Sequence, residues 1–489
     1  MVLSAAICLG STITVYAKPE WPSDTGILAN AGIVVDMDSR AVLFGQQIHV
    51  PLPPASITKL LTALVVVENA ELDEMVTFSH DAVYNVESGS GNKLSLDEGD
   101  KLSVEDCLHV LLLLSSNQTA NALAEHVAGS RAAFVDMMNE RIAKIGCVES
   151  EFANPSGLND PNQNVSAYDM ALIAIEAFSN EKVLEISSTR SYSIPETINN
   201  PNGASFAMEH RLLKASEDPS SEYYCEGALA GKTGYTSLAG NTLVTLAERD
   251  DRRVISVILK GTQPQYYMDG KELINFGFAS FKNVSVADHE TLLKDSSELD
   301  LGGNIYQTED LSLEETAVVT LPSTAEFADA ERTVITELPE EAPLGAAAVI
   351  RYTYNERKIG EAYLYSASLK EAQLAAIAAE EEEKAKEALA QVTEGQTEAM
   401  TEADEETAVS AGDEAAGAGG GALAVQLLVV LLIAGGLCGG AFAFKKKQDR
   451  EREAAARRRE RRRQRLQEIG CSEEEFAKMV EERRAKGRK

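Results

Sequence analysis

Apolar and polar positions change rhythm several times along the chain, and each change marks an element. Residues 60–67 and 108–114 are apolar almost all round, which predicts helices buried on every side rather than amphipathic surface helices. Residues 119–124 open a further helix after a short polar break. Later the rhythm shortens. Residues 228–236, 241–247 and 253–260 read as strands, with 248–252 as a turn, so their pairing is expected to be antiparallel. From about 284 to 366, short Val, Thr and Ile runs separated by Gly, Pro and acidic turns predict a small β-rich domain.

The two ends carry a different kind of pattern. Residues 1–17 form an apolar run closing on Val15-Tyr16-Ala17, a small-x-small cleavage pattern, and predict a secretory signal peptide that lacks the usual basic start. Residues 367–421 are rich in Ala, Glu, Thr and Gly and predict a helical start running into an acidic stalk. Residues 422–444 contain Gln426 as their one polar interruption and are long enough for a transmembrane helix. Lys445, Lys446 and Lys447 follow at once, which places the tail 445–489 in the cytoplasm and the body outside the cell. The expectation is a single-pass cell-membrane protein. Gly435 and Gly439 make a GxxxG pair, which leaves a homodimer open. Within the tail, Ser472 and Glu475 form a capping box for a last helix.

Charge and composition narrow the function. The net charge is −32, yet the tail is basic, so the body is more acidic than the total implies. That argues against a nucleic-acid partner, which needs Lys and Arg concentrated on one face. Of six Cys, Cys8 lies in the leader and Cys438 and Cys471 in or after the span. Cys107, Cys147 and Cys225 are left, an odd number that fits small buried hydrophobes better than a disulfide framework. The six His are scattered without ligand spacing, so neither a metal site nor a cofactor is expected.

Three segments carry chemistry. In Pro53-Pro54-Ala55-Ser56-Ile57-Thr58-Lys59, Ser56 and Lys59 stand three apart on one helix face, so an amine reaches a hydroxyl. A serine is a weak nucleophile until a neighbour takes its proton, and a buried lysine near another cation can do so. Next, Ser115-Ser116-Asn117 falls at the break between two helices. Ser115 is placed to relay a proton and Asn117 to hold a peptide backbone. Third, Lys232-Thr233-Gly234 lies on a strand: a charge, a hydroxyl for a carboxylate, and room for a substrate backbone along the strand edge. Alone, each has an ordinary explanation as an exposed helix pair, a Ser/Asn cap or a hairpin strand. Their order and context together do not.

In that order the segments match the SxxK, SDN-type and KTG set. Over roughly residues 25–366 the sequence resembles the low-molecular-mass penicillin-binding proteins of the D-alanyl-D-alanine carboxypeptidase type, serine peptidases of the β-lactamase/transpeptidase-like superfamily. Residues 99–105, 123–129, 152–158 and 167–170 add supporting context. The resemblance implies an α+β fold: a transpeptidase-like domain at 25–283, with helices flanking an antiparallel sheet, then the β-rich domain at 284–366. It implies that Ser56 attacks the carbonyl between two terminal D-alanines of a peptidoglycan stem peptide, and that β-lactams acylate the same residue. Lys59 would be the base, Ser115 the relay, and Asn117, Lys232, Thr233 and Gly234 the substrate contacts. The backbone amides of Ser56 and Tyr235 would form the oxyanion hole.

Two departures stand out. Relatives often have Gly where this chain has Ser116, whose extra hydroxyl would crowd or hydrogen-bond the cleft, and some use an Arg where Leu259-Lys260-Gly261-Thr262 offers Lys260, or Lys232, instead. A class A β-lactamase shares the three motifs but needs a glutamate for deacylation, and no E-x-x-L-N occurs between Asn117 and Lys232; Glu151 lies in a different context. A non-catalytic receptor for peptidoglycan or β-lactam is the alternative of another class.

Overall fold

The computed structural model describes residues 18–23, 25–86, 91–339 and 342–383. The three late alternating runs form adjoining antiparallel strands, Ala228–Thr236, Gly240–Arg249 and Arg252–Gly261, in the registers Lys232↔Val244 and Val244↔Val257. The second hairpin turns on Asp250 and Asp251, both at positive φ, the two-residue geometry that matches strand twist. The charged residues Glu248 and Arg249 therefore stay inside the ladder rather than in the turn.

Two early strands complete the sheet. Ala31–Asp36 pairs with Arg252–Gly261, and Val42–Gln46 pairs with Ala31–Asp36. The order across the sheet is Val42–Gln46, Ala31–Asp36, Arg252–Gly261, Gly240–Arg249, Ala228–Thr236. Consecutive residues from Thr242 to Ala247 and from Val254 to Leu259 are all buried, so both faces of the centre are covered. The helices Gln265–Ser280 and Ala167–Ser179 pack against it. Lys59–Val67 is the central helix, buried from Lys59 to Val66 against Val104–Leu113, Asn117–Ala128 and Ala167–Ser179. The strand Ala228–Thr236 lies at the free edge, beside the turn that opens this helix.

After Gln265–Ser280 the chain becomes β-rich. Phe281–Ser285 pairs with Val318–Pro322, and a four-stranded antiparallel sheet runs in the order Leu311–Leu313, Arg357–Ser366, Ala346–Tyr354, Glu331–Ile335. Val286, Val319, Leu321, Ile350, Tyr352, Tyr354 and Ile359 form its core. A buried polar cluster joins it to the first sheet. Asp36 accepts from Arg252 Nε at 2.9 Å and from Asn283 Nδ2 at 3.2 Å, and Ser39 Oγ lies 2.6 Å from Thr320 Oγ1. Cys107, Cys147 and Cys225 are buried, as small apolar residues are.

The expected membrane architecture is corrected. No helix among the described residues is long and apolar enough to cross a membrane. The apolar run 422–444 and the leader 1–17, on which the span, the signal peptide, the membrane partner and the single-pass localisation were read, lie outside the described residues, as do the GxxxG pair and the tail. The α+β sheet-and-helix body is the part of the fold that stands. Residues 367–383 form a helix of largely exposed side chains, rich in Ala and Glu, and its carboxylates suit water rather than hydrocarbon.

Candidate active site

Pro53 and Pro54 feed a short 3-10 turn, Ala55–Thr58, that runs directly into Lys59–Val67. Thr242 Oγ1 donates to the Pro54 carbonyl at 2.9 Å and ties this turn to the sheet. Ser56 is half-buried, while Lys59, one turn on, is fully buried. Lys59 Nζ lies 2.9 Å from Ser56 Oγ, 2.8 Å from Asn117 Oδ1 and 2.5 Å from the Ser156 carbonyl. Burial holds the Lys59 ammonium well below its ordinary pKa, and the nearby charges of Lys232 and Lys93 push the same way.

The three partners are not equivalent. A neutral amine has two N–H bonds and one lone pair. Asn117 Oδ1 and the Ser156 carbonyl can only accept, so they take the two N–H bonds. Only the Ser56 hydroxyl can donate, so the lone pair is left facing it. Once Lys59 is neutral, the geometry aims a base at one proton.

Asn117 reaches Lys59 because the helix before it stops abruptly. Val104–Leu113 ends with Leu114 as C-cap, Ser115 takes the left-handed conformation at φ 64°, and Asn117–Ala128 begins. A non-glycine residue there is uncommon and places Ser115 in a tight reversal at the cleft. The Ser115 hydroxyl makes no hydrogen bond to Lys59 or Lys232 in this structure. Ser116 does not crowd the cleft as the sequence comparison implied. Its hydroxyl accepts from Thr119 N at 3.1 Å and Thr119 Oγ1 at 2.8 Å, so it caps its own helix.

The edge strand brings the third segment alongside. Gly234 approaches Ser56 so closely that a Cβ there would stand 2.7 Å from Ser56 N and 2.4 Å from Thr242 Oγ1. Glycine is therefore a requirement of contact. Lys232 is buried, with Nζ 2.9 Å from the Thr233 carbonyl. Burial lowers its pKa to about 7, partly opposed by Glu209 and reinforced by Lys93. Thr233 is half-buried, and the Tyr235 side chain projects into solvent. Lys260 is exposed on Arg252–Gly261, a strand that Gly240–Arg249 separates from Lys232.

Other participants come from outside the three motifs, the first from the segment 152–158, which the sequence marks only as context. The Ser156 carbonyl is held out by a loop in which Gln163 Oε1 accepts from Ala153 N and Asn154 N, and Asn154 Oδ1 from Gly157 N. Gly157, at φ 85°, leaves no room for a side chain, since its Cβ would meet the Ala55 carbonyl at 1.9 Å. The Asn-Pro-Ser-Gly run signals a turn, but no residue letter marks a backbone oxygen as a ligand. His210 lies behind Gly231, with Nε2 3.1 Å from Thr245 Oγ1, and burial lowers its pKa to about 3. It stands as a neutral wall beneath the Lys232 strand. Lys93 reaches the same region from a loop.

Comparison with known proteins gives this geometry a setting. The D-alanyl-D-alanine carboxypeptidase family model matches residues 18–263. The chain is 31% identical over 274 residues to the D-alanyl-D-alanine carboxypeptidase DacB2 of Mycobacterium tuberculosis, covering 55% of this chain and 86% of that one. It is 27% identical over 261 residues to DacF of Bacillus subtilis, covering 52% of this chain and 63% of that relative, so it spans less than two thirds of DacF. Among solved structures, penicillin binding protein 5 from Haemophilus influenzae superposes with a TM-score of 0.55 at 26% identity, over 70% of this chain and 97% of that one. The matched region contains all three motif segments, and the chain belongs to the D-alanyl-D-alanine carboxypeptidase family.

Proposed function

We propose that this chain is a serine-type D-Ala-D-Ala carboxypeptidase that removes the terminal D-alanine from peptidoglycan stem peptides through an acyl-enzyme, and that β-lactams acylate the same serine. The observation that carries the reading is Lys59 Nζ, 2.9 Å from Ser56 Oγ, with its other two contacts made to pure acceptors. Ser56 Oγ attacks the penultimate carbonyl as its proton passes to Lys59. The developing oxyanion sits near Ser56 N and Tyr235 N, where Gly234 removes the obstruction a side chain would pose. Ser115 relays that proton from Lys59 to the departing amine of D-alanine, and water, giving a proton back through Lys59 to Ser56 Oγ, then releases the shortened peptide.

Substrate binding follows from the edge strand. A stem peptide lies along Ala228–Thr236, with Asn117 on its backbone and its terminal carboxylate toward Thr233 and Lys232. That carboxylate supplies the counter-charge that holds Lys232 as an ammonium. Glu151, the nearest sequence candidate for a β-lactamase glutamate, is exposed, its backbone pairs with that of Asn164, and it is not among the hydrogen-bond partners of Ser56 or Lys59. The test is D-alanine release by the purified full chain from a peptide ending in D-Ala-D-Ala, beside Ser56→Ala. Release by the wild type, and loss of roughly a thousandfold or more in the variant, is expected. Rapid turnover of penicillin without D-alanine release would favour a β-lactamase. Stable labelling at Ser56 with no turnover of either compound would favour a receptor.

A further inference from the structure

Lys93 belongs to none of the three motifs, yet its ammonium stands at the end of the helix that leads to Ser115. Lys93 Nζ donates to the Leu114 carbonyl at 3.0 Å and to Glu209 Oε1 at 2.6 Å. Leu114 is the C-cap of Val104–Leu113, so its carbonyl is one of the acceptors a helix end leaves without an internal partner. A cation there also meets the negative end of the helix dipole. The same carbonyl belongs to the peptide plane that precedes Ser115, and the setting of that plane is what φ of Ser115 measures. An ammonium holding the oxygen resists relaxation of Ser115 out of its left-handed conformation.

The segment that carries Lys93 is fastened on both sides. Gln118 Nε2 donates to the Gly91 carbonyl at 2.9 Å, from the first turn of the helix that begins with Asn117. Asn200 Nδ2 donates to the Leu94 carbonyl at 2.7 Å, and Asn92 Nδ2 to the Leu96 carbonyl at 2.6 Å. Glu209 adjoins His210, which packs behind Gly231 and the Lys232 strand. Lys93 thus spans the helical wall of the cleft and the wall formed by the sheet.

Resting on the proposed carboxypeptidase reading, we propose that Lys93 is a positioning residue of the acylation step: it clamps the Leu114 carbonyl and so holds Ser115 and Asn117 in register with the Lys232 strand. An exposed lysine–glutamate pair by itself contributes little, and both side chains are close to half exposed. The contact with Leu114 is what sets this pair apart. Lys93 also lies close enough to both Lys59 and Lys232 to help depress their pKa values.

The experiment measures the second-order rate of acylation by a fluorescent penicillin for full-length wild type, Lys93→Met, Lys93→Arg and Ser56→Ala, with a thermal unfolding midpoint for each. Lys93→Met keeps the stem and loses the donor, and is expected to acylate about tenfold more slowly. Lys93→Arg keeps charge and donors and is expected to recover to within about threefold of wild type. Neither variant should shift the midpoint by more than about 2 °C, because the side chain is half in solvent. Wild-type rate in Lys93→Met overturns the inference, and so does a loss that arginine leaves unrepaired or that a falling midpoint accompanies. If wild type is not labelled, or Ser56→Ala labels equally well, the carboxypeptidase reading itself fails, which is a separable result.

Discussion

Two buried charged side chains, one on each side of the molecule, are treated in opposite ways. Glu290, 1% exposed in the β-rich region, is matched on every side. Arg332 pairs with one carboxylate oxygen, which also accepts from Thr291 N and Leu292 N at 2.8 Å each, and Tyr352 donates to the other at 2.6 Å. Lys59, fully buried beneath the cleft, has no carboxylate among its hydrogen-bond partners, and its charged neighbours are Lys232 and Lys93. One environment surrounds its carboxyl group with donors. The other disfavours its ammonium. A buried charge that is compensated belongs to stability, whereas one surrounded by like charge and by acceptors is set up to change protonation during a reaction.

The largest expected effect breaks the comparison at Lys59. Lys59→Met, similar in length and without an amine, should lower D-alanine release by roughly a thousandfold or more, since among the described residues Lys59 is the side-chain base hydrogen-bonded to Ser56 Oγ. Its thermal midpoint should stay level or rise, because an apolar side chain fits a site that disfavours charge. Glu290→Ala should do the reverse. Leaving Arg332, Tyr352 and two backbone amides without their acceptor should cost about 3 kcal/mol of stability in urea unfolding, with acylation of the folded protein unchanged. A rate loss in the glutamate variant would mean the two regions are coupled more tightly than their separate cores imply.

Gly234→Ala sharpens the comparison by leaving both charges in place. Its Cβ would press on Ser56 N and Thr242 Oγ1, so the edge strand must retreat from the nucleophile by a few tenths of an ångström or more. A loss of about tenfold to a hundredfold in acylation rate is expected, measured by stopped-flow with a chromogenic β-lactam.

What the sequence made legible follows the same division between side chains and backbone. The strands at 228–260 announce themselves by short Val, Leu, Ile and Thr runs closed by charged hairpin ends, and the buried helix at Lys59 by continuous apolarity. Ala31–Asp36 does not. It is buried at every position and has no charged hairpin end on the side of its inner partner, Arg252–Gly261, which is more than two hundred residues away. Ser56, Lys59, Asn117 and Lys232 carry the side chains proposed to act, at telling spacings, but the Ser156 carbonyl that completes the Lys59 environment is available on any residue. Lys93 and His210 reach the site through loops and packing, and single lysines and histidines carry no spacing to read. The apolar run at 422–444 is plain in the sequence and has no counterpart among the described helices.

The smallest effect is thermodynamic and concerns Lys232. Its pKa is about 7 in the folded chain against an ordinary value of 10.5, so between those limits the unfolded chain binds the extra proton and the folded chain does not. Stability then rises with pH across that window, because each step upward removes a proton the unfolded state holds more tightly. Below pH 7 both states are protonated and the full cost of burying the charge is felt. Above about 10.5 neither carries it. Other groups titrate in this range, so the measurement is a difference: urea unfolding of wild type and Lys232→Met at intervals from pH 6 to 10. The stability advantage of the methionine variant should shrink steadily as pH rises. A constant difference would mean that Lys232 keeps its ammonium in the folded chain without substrate, and the contrast with Glu290 would then rest on Lys59 alone.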